Sequence, residues 1–325
     1  MFDLPKASEI RKPLHKKLIY ERYAAELSGN KRDKFDADIS RMIITNEISE
    51  ASVNIKATEE ISAIFVLQVE LKRKEYDDKN IIAVRVDNSQ QKNCRWYTGT
   101  GIYRHVWLTV TNPVHIAHWG VAVTTPEVSE KKAVVQIKTT LKNETSSSRQ
   151  VTLITKLVKE NDEAGKEEIK VNLPANGAKE ITQTIPVLCP ALWSPETPYL
   201  YDAHLTVAEA GKIIDCTTES FGIRTVTYSA EQGLLLNGKR IILSGGCLHH
   251  DNGCLGAAAY DRAEERKVEL MKAAGFNAAR TSHNIPSEAF LHACDRLGLL
   301  VIDEAFDGWR DSKNQHDYSV LFDQW

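Results

Sequence analysis

No uninterrupted apolar run in this chain approaches the roughly 20 residues that a membrane-spanning helix needs. Charge bias is missing too: 41 Lys and Arg stand against 44 Asp and Glu, for a formal net charge of -3. That near balance gives no reason to expect nucleic acid or another polyanion as a partner. The amino terminus, MFDLPKASEIRKPLHKK, has no apolar core. This argues against a secretory signal and leaves cytoplasm and periplasm both open. The six cysteines (Cys94, Cys189, Cys216, Cys247, Cys254, Cys294) include no CxxC pair. Irregular spacing in a large chain favours buried free thiols over a disulfide or zinc framework. Helical patterning is scarce across the middle of the chain, where β-rich runs take its place.

The length allows two or three domains. Lys6 to Leu27 is rich in Lys, Glu, Ala and Leu and reads as a helix stopped at Gly29-Asn30. Alternation in SVNIKATEE and AIFVLQVELK suggests strands, and so does IIAVRVDN. GIYRHVWLTVTNP is a further β-rich run, closed by Pro113. Between 114 and 224 come HIAHWGVAVTTP, AVVQIKTTLKN, RQVTLITKLVK, EEIKVNLPANG, KEITQTIPV and LYDAHLTVAEAG. Short strands at this spacing predict an antiparallel sandwich of immunoglobulin-like size. It lacks the Cys…Trp…Cys arrangement of antibody domains. LLLNGKRIIL then predicts a hairpin with Asn237-Gly238 as a type I′ turn.

Beyond the hairpin the pattern changes. Three apolar runs each end in a polar cluster: ILSGGCLHHD, AARTSHN and LLVIDEAFD. Amphipathic helices separate them. Asp261 is placed as an N-cap with Glu264 completing a capping box, Val268, Met271 and Ala274 as the buried stripe, and Gly275 as the stop. The second helix begins near Pro286-Ser287, buries Phe290, Leu291 and Cys294, and stops at Gly298. The intervening strands (277–281 and 299–302) are mostly apolar, as buried parallel strands are. This is the repeat of a (β/α)8 barrel, whose strand ends carry the active site. Three of eight strands are expected, leaving an open edge through which a second copy could associate.

The polar clusters are therefore expected to converge: His249-His250-Asp251, then Arg280 with Ser282-His283-Asn284, then Asp303-Glu304 with Asp307. Each alone has a bland reading. The His-His-Asp run suits a solvated loop, Arg280 suits a neutralising partner for Glu304, and Glu304 suits a structural ion pair. Their joint placement at one end of three strands favours a ligand site.

The string FNAARTSHNIPSEAFLHACDRLGLLVIDEAFDGW resembles the signature region of glycoside hydrolase family 2, especially its β-galactosidase-like members. There an Asn-x-x-Arg-x-Ser-His core precedes a helix and a strand ending in Asp-Glu-Ala. FGIRTV, LLLNGKRIILSGG and CLHHDNG are similar to the family's preceding segment. RWYTGTGIYRHVWLTVTNPVHI and LWSPETPYLYDAHLTV resemble the ends of its sugar-binding jelly roll and immunoglobulin-like domain. The likeness runs from about Asn80 onward; residues 1 to about 76 lack the family's aromatic-rich jelly-roll start. The resemblance implies a mainly β chain with an α/β C-terminal part. Its domains would be a partial jelly-roll-like domain (1–112), an immunoglobulin-like β-sandwich (113–224) and the first three strands of a TIM barrel (225–325).

It further implies sugar contacts by His249, Arg280 and His283, with Asn284 replacing a Tyr found in some members. Asp251 and Glu304 would line the pocket wall. The magnesium ligands of some members fall here on Gly308 and Arg310, so no metal or cofactor is expected. Retaining hydrolysis needs two carboxyl groups about 5–5.5 Å apart. Asp303 and Glu304, adjacent on a strand, point to opposite faces. The family's acid/base follows an Asn on a later strand, whereas the two Asn-Glu pairs here, Asn46-Glu47 and Asn143-Glu144, lie outside the barrel portion. The expectation is a fragment of a retaining exo-glycosidase acting on terminal β-galactosides or a related glycan, inactive alone. The alternatives are a β-glucuronidase or β-mannosidase fragment and a non-catalytic carbohydrate-binding or adhesive sandwich. A binding sandwich would array aromatics on an exposed sheet, whereas Trp96, Trp107 and Trp119 are expected to be partly buried.

Overall fold

The computed structural model describes residues 40–43, 51–54, 81–85, 103–106, 109–160, 162–283 and 285–304. The helix expected at Lys6 to Leu27 and the strand AIFVLQVELK lie outside them, as does most of the segment 1–112. Three short strands are described there. β1 (Ser40–Ile43) runs antiparallel to β3 (Ile81–Arg85), and β2 (Ala51–Asn54) runs parallel to it. GIYRHVWLTVTNP does not form the expected strand over 103–106 or 109–113. Tyr103 to His105 bond instead to loops near Ala259, Asp261 and Ile285. Of these, the Tyr103 carbonyl is a backbone group that a ladder would otherwise use.

The described residues fall into two compact units. One draws on Leu108–Ser244 and His292–Leu300; the other draws on Gly245–Leu291 and parts of Leu14–Trp107 and Val301–Trp325. In the first unit, β4 (Val114–Val128), β5 (Lys132–Asn143), β6 (Arg149–Lys159), β7 (Asp162–Leu173), β8 (Gly177–Leu188), β9 (Tyr201–Glu209) and β10 (Lys212–Phe221) build two antiparallel sheets. Their orders are β4-β5-β8 and β10-β9-β6-β7. Strict alternation makes the core. Val135, Ile137, Leu141, Val151, Leu153, Leu157, Leu205 and Val207 point inward and are almost fully buried, because successive strand side chains face opposite ways. β10 was missed in sequence: KIIDCTTESF is an outer strand whose exposed residues blur its alternation.

Within β4 the register shifts between Ile116 and Val121. Trp119 sits in this bulge at φ +51 and is 57% exposed, contrary to the partial burial expected. The backbone kink turns its indole outward. Trp96 and Trp107 lie outside the described residues.

β11 (Val226–Ser229), β12 (Gly233–Leu236) and β13 (Lys239–Arg240) form a small antiparallel meander. Asn237 and Gly238 join the last two with φ values of +51 and +74, the two positive angles of a type I′ turn. The Asn237 side chain accepts from the Thr225 N–H at 2.9 Å and donates to the Trp193 carbonyl at 3.0 Å.

The strand–helix repeat follows as β14 (Gly245–Leu248), α1 (Asp261–Ala273), β15 (Ala278–Thr281), α2 (Glu288–Leu297) and β16 (Leu300–Ile302). The sheet order is β14-β15-β16, with β14 parallel to β15. Three helix details differ from expectation. Tyr260, without a side-chain cap bond, takes the N-cap place, and Asp261 is the first helical residue, where it still favours the helix dipole. Ala274 is exposed, and Glu264 joins Val268 and Met271 on the buried side. Leu291 is only half-buried, while Ala293 and Cys294 are buried. Both stops hold: Gly275 and Gly298 take φ +86 and +77, the left-handed conformation that ends helices. At the start of α2 the Ser287 hydroxyl accepts from the Phe290 N–H at 3.2 Å, an N-cap bond. Among the described cysteines all are free, but only Cys294 is buried; Cys189, Cys216, Cys247 and Cys254 are exposed.

Candidate functional site

The parallel register sets Cys247 beside Arg280 and Leu248 beside Thr281. Because neighbours along a strand face opposite ways, Arg280 and Thr281 serve different sides of the sheet. Arg280 is the hub of one side. Its Nε donates to Glu304 Oε1 at 2.5 Å, and Nη1 lies 3.5 Å from the Cys247 sulfur. His283 Nδ1 stands 3.1 Å from Glu304 Oε2 and 3.5 Å from Arg280 Nη2. One ring nitrogen cannot accept from Arg280 while donating to Glu304. The shorter contact fixes the proton on Nδ1, and the Arg280 contact is then electrostatic. The His249 ring meets His283 edge-on, with centroids 5.6 Å apart. Four of the six expected residues, His249, Arg280, His283 and Glu304, are thus brought together. Asp251 lies close enough to His249 and His250 to favour their charged forms. Asn284 lies outside the described residues.

Asp303 belongs to the other side. Its Oδ1 accepts from the Thr281 hydroxyl at 3.1 Å. Burial raises its pKa above the ordinary carboxylate value, and the Thr281 hydrogen bond opposes that rise. The two adjacent carboxylates meet different partners, although they follow β16 rather than lie in it as expected.

The electrostatics divide the cluster. Hydrogen bonding to Glu304 raises the Arg280 pKa, so this guanidinium stays charged. Burial lowers the pKa of His249, assisted by the nearby His283, and burial likewise lowers that of His250. Neutral imidazoles beside a fixed cation–carboxylate pair supply donors and acceptors suited to hydroxyl groups.

Two supporting residues escaped the sequence reading. Glu264, taken there for a capping residue, is 3% exposed. Its oxygens accept from Asn252 Nδ2 at 2.7 Å and the Ser287 hydroxyl at 2.8 Å, and Lys267 Nζ stands 3.0 Å away. It ties the loop after β14 to the loop after β15. Its only sequence signal was an acidic residue on the core side of a helix. Arg104 is the second, and nothing in its neighbourhood along the chain marked it. A small recess open to solvent is lined by Arg104, His249, His250, Lys267, Ser282 and Phe290 among others. Among the described residues no group of three or more His, Cys, Asp or Glu is arranged to hold a metal ion. No described helix is long and apolar enough to cross a membrane.

Comparison with known proteins adds three family matches. Residues 114–224 match glycosyl hydrolases family 2, and residues 229–313 match the TIM barrel domain of glycosyl hydrolases family 2. Residues 2–84 match a domain of unknown function, DUF4391. The chain is 45% identical over 254 residues to the β-galactosidase BoGH2A of Bacteroides ovatus, covering 77% of this chain and 30% of that protein. It is 36% identical over 249 residues to a putative β-glucuronidase of Formosa agariphila, covering 76% of this chain and 23% of that protein. A solved glycosyl hydrolase family 2 member from Bacteroides cellulosilyticus superposes with a TM-score of 0.73 at 50% identity, over 78% of this chain and 32% of that one. The chain thus spans a third or less of the length of these relatives.

Proposed function

Because residues 114–224 and 229–313 belong to glycosyl hydrolases family 2, we propose that the chain supplies part of a retaining exo-glycosidase that removes terminal β-galactosyl groups. The observation that carries this reading is the convergence of Arg280, Glu304, His283 and His249 at the ends of β14, β15 and β16. In a barrel those ends form the pocket floor. The 45% identity to a β-galactosidase favours galactose as the sugar. His249, Arg280 and His283 would bind sugar hydroxyls, with Asp251, Asn284 and Glu304 on the wall.

The chain alone does not hydrolyse glycosides on this proposal. Retention needs a nucleophile and an acid/base about 5–5.5 Å apart. Among the described residues Glu304 is the carboxylate joined to Arg280 and His283, and Asp303 is turned to Thr281. A single carboxylate cannot both attack the anomeric carbon and protonate the leaving oxygen. Loss of the pair removes most of a rate enhancement that is commonly ~10⁶ or more.

The test uses the purified 325-residue chain with chromogenic β-galactoside and β-glucuronide, together with ligand-observed NMR for binding. Galactoside binding without turnover is expected. Turnover that Glu304→Gln abolishes would overturn the claim of a missing pair. Preferential binding of the glucuronide would favour the second reading, a β-glucuronidase, for which the Formosa relative speaks. The exposed Trp119 speaks for a third, a binding sandwich; it is favoured if Trp119→Ala abolishes binding and Arg280→Ala does not.

A further inference from the structure

Arg104 makes an unusual use of a guanidinium. Its Nη2 donates to the Ile285 carbonyl at 2.8 Å and its Nη1 to the Pro286 carbonyl at 3.2 Å. These carbonyls lie in the loop that leaves β15 and enters α2, the loop that carries His283. A planar, rigid fork on two successive carbonyls sets both the position and the orientation of the segment it holds. Lys, a point charge on a flexible stem, could donate to them but would not fix the orientation of the segment.

The loop needs such a hold. At one end the Ser282 N–H donates to the Leu248 carbonyl at 2.8 Å; at the other the Ser287 hydroxyl donates to Glu264 at 2.8 Å. Pro286 between them has no N–H to give, so carbonyl contacts must restrain this stretch. Arg104 is itself pinned on both sides. The Tyr103 carbonyl accepts from the Ala259 N–H at 3.3 Å, the Tyr103 ring lies 5.7 Å from that of His250, and His105 Nε2 is 2.5 Å from Asp261 Oδ1.

We propose that Arg104 is a positioning residue for the candidate sugar site: by clamping the carbonyls of Ile285 and Pro286 it holds the loop so that His283 faces Glu304 and His249. This rests on the reading of His283 as a sugar contact, but the clamp itself is measurable without any sugar. Arg104 touches neither Glu304 nor the His283 ring through a described hydrogen bond. Its action is exerted through the loop backbone.

The experiment compares Arg104→Lys and Arg104→Met with the unaltered 325-residue chain by NMR. Amide exchange is read at Ser282, Ile285 and Ser287 in the loop and at Val268 and Met271 in α1. The through-space contact between the His249 and His283 rings is read alongside it. In Arg104→Met, losing the clamp should speed loop exchange by about tenfold or more, the worth of one or two part-buried hydrogen bonds to a charged group. Exchange in α1 should stay within about twofold, and the His249–His283 contact should vanish. Arg104→Lys should fall between the two chains. Unchanged loop exchange overturns the clamp. Faster exchange in loop and helix alike, or a retained ring contact, makes Arg104 a general tie and overturns the positioning role. Should Arg104→Met not fold, the same ratio and ring contact in Arg104→Lys decide. A galactoside titration of the unaltered chain tests the functional reading separately, since its failure would leave the exchange ratio and ring contact readable.

Discussion

Replacing Gly298 with alanine tests how tightly α2 is seated. Gly298 ends the helix at φ +77, and a residue with a Cβ pays about 1–2 kcal/mol to stay in that left-handed conformation. Space adds a second cost. A Cβ built there would lie 2.4 Å from the Pro195 carbonyl oxygen and 2.9 Å from its carbonyl carbon and Cα. Non-bonded carbons rest about 3.5–4.0 Å apart, so the contact must open by about 1 Å. The Pro195 segment is poorly placed to yield. Trp193, two residues earlier, is 2% exposed. Its backbone N–H donates to the Ile223 carbonyl at 2.9 Å and its indole N–H to the Asp295 carbonyl at 2.7 Å. Overpacking against a fixed wall costs about 1–3 kcal/mol, so Gly298→Ala should lose about 2–5 kcal/mol in all. Gly275→Ala is the control. It ends α1 at φ +86 but nothing lies within 4 Å of its added Cβ, so it should lose only the conformational part, about 1–2 kcal/mol. Urea titrations followed by circular dichroism would compare the two. Equal losses would refute the steric argument, and a loss below about 0.5 kcal/mol in both would refute the conformational one as well.

Three further outcomes are expected. Thr155→Val should destabilise by about 1–3 kcal/mol, because it strands the oxygen of the fully buried Gln183 that the Thr155 hydroxyl meets at 2.5 Å; adding Gln183→Leu should restore much of the loss, and calorimetry showing none restored would contradict this. Burial lowers the pKa of His250 and His249, so their contribution to stability is complete above the unfolded value of about 6.5 and is lost as pH falls through the folded values. Asp303, with its pKa raised by burial, acts oppositely and in a more acidic window, so amide protection along β15 should drop as pH falls from about 7 to 5.5; a flat profile would count against the buried histidines. Arg280→Lys should weaken galactoside binding about tenfold or more by losing the fork, with little change in the urea midpoint because the Arg280 side chain is 41% exposed; an unaltered affinity on NMR titration would remove Arg280 from the site.

The legible parts of the fold were those written in short-range pattern. Alternation placed β5, β6 and β9 because most of their inward residues are apolar, and some polar ones, such as Thr155, are paired inside. Two successive positive angles at Asn237 and Gly238 were readable because few residues tolerate them. β10 was not readable, since an outer strand loses the contrast between its faces. Asp261 looked like an N-cap because Asp is a good one, yet its carboxylate meets His105, 156 residues away. Residues 1 to about 76 lacked the resemblance that the rest of the chain showed, and the matches divide similarly, with DUF4391 over 2–84 and family 2 from 114 onward.

The candidate site shows where such reading stops. Strand alternation alone assigns Arg280 and Thr281 to opposite faces of β15. Just beyond β16, Glu304 meets Arg280 and Asp303 meets Thr281. The partition within β15 needs only residue order, so it could be argued before any coordinates. Arg104 is different in kind. It binds carbonyl oxygens, which every residue carries, at a separation of 181 and 182 positions. A side chain recognising backbone leaves no complementary residue type for a pattern to catch. The groups facing a ligand are therefore the readable part of such a site, and the groups holding the loop behind them emerge only from the folded chain.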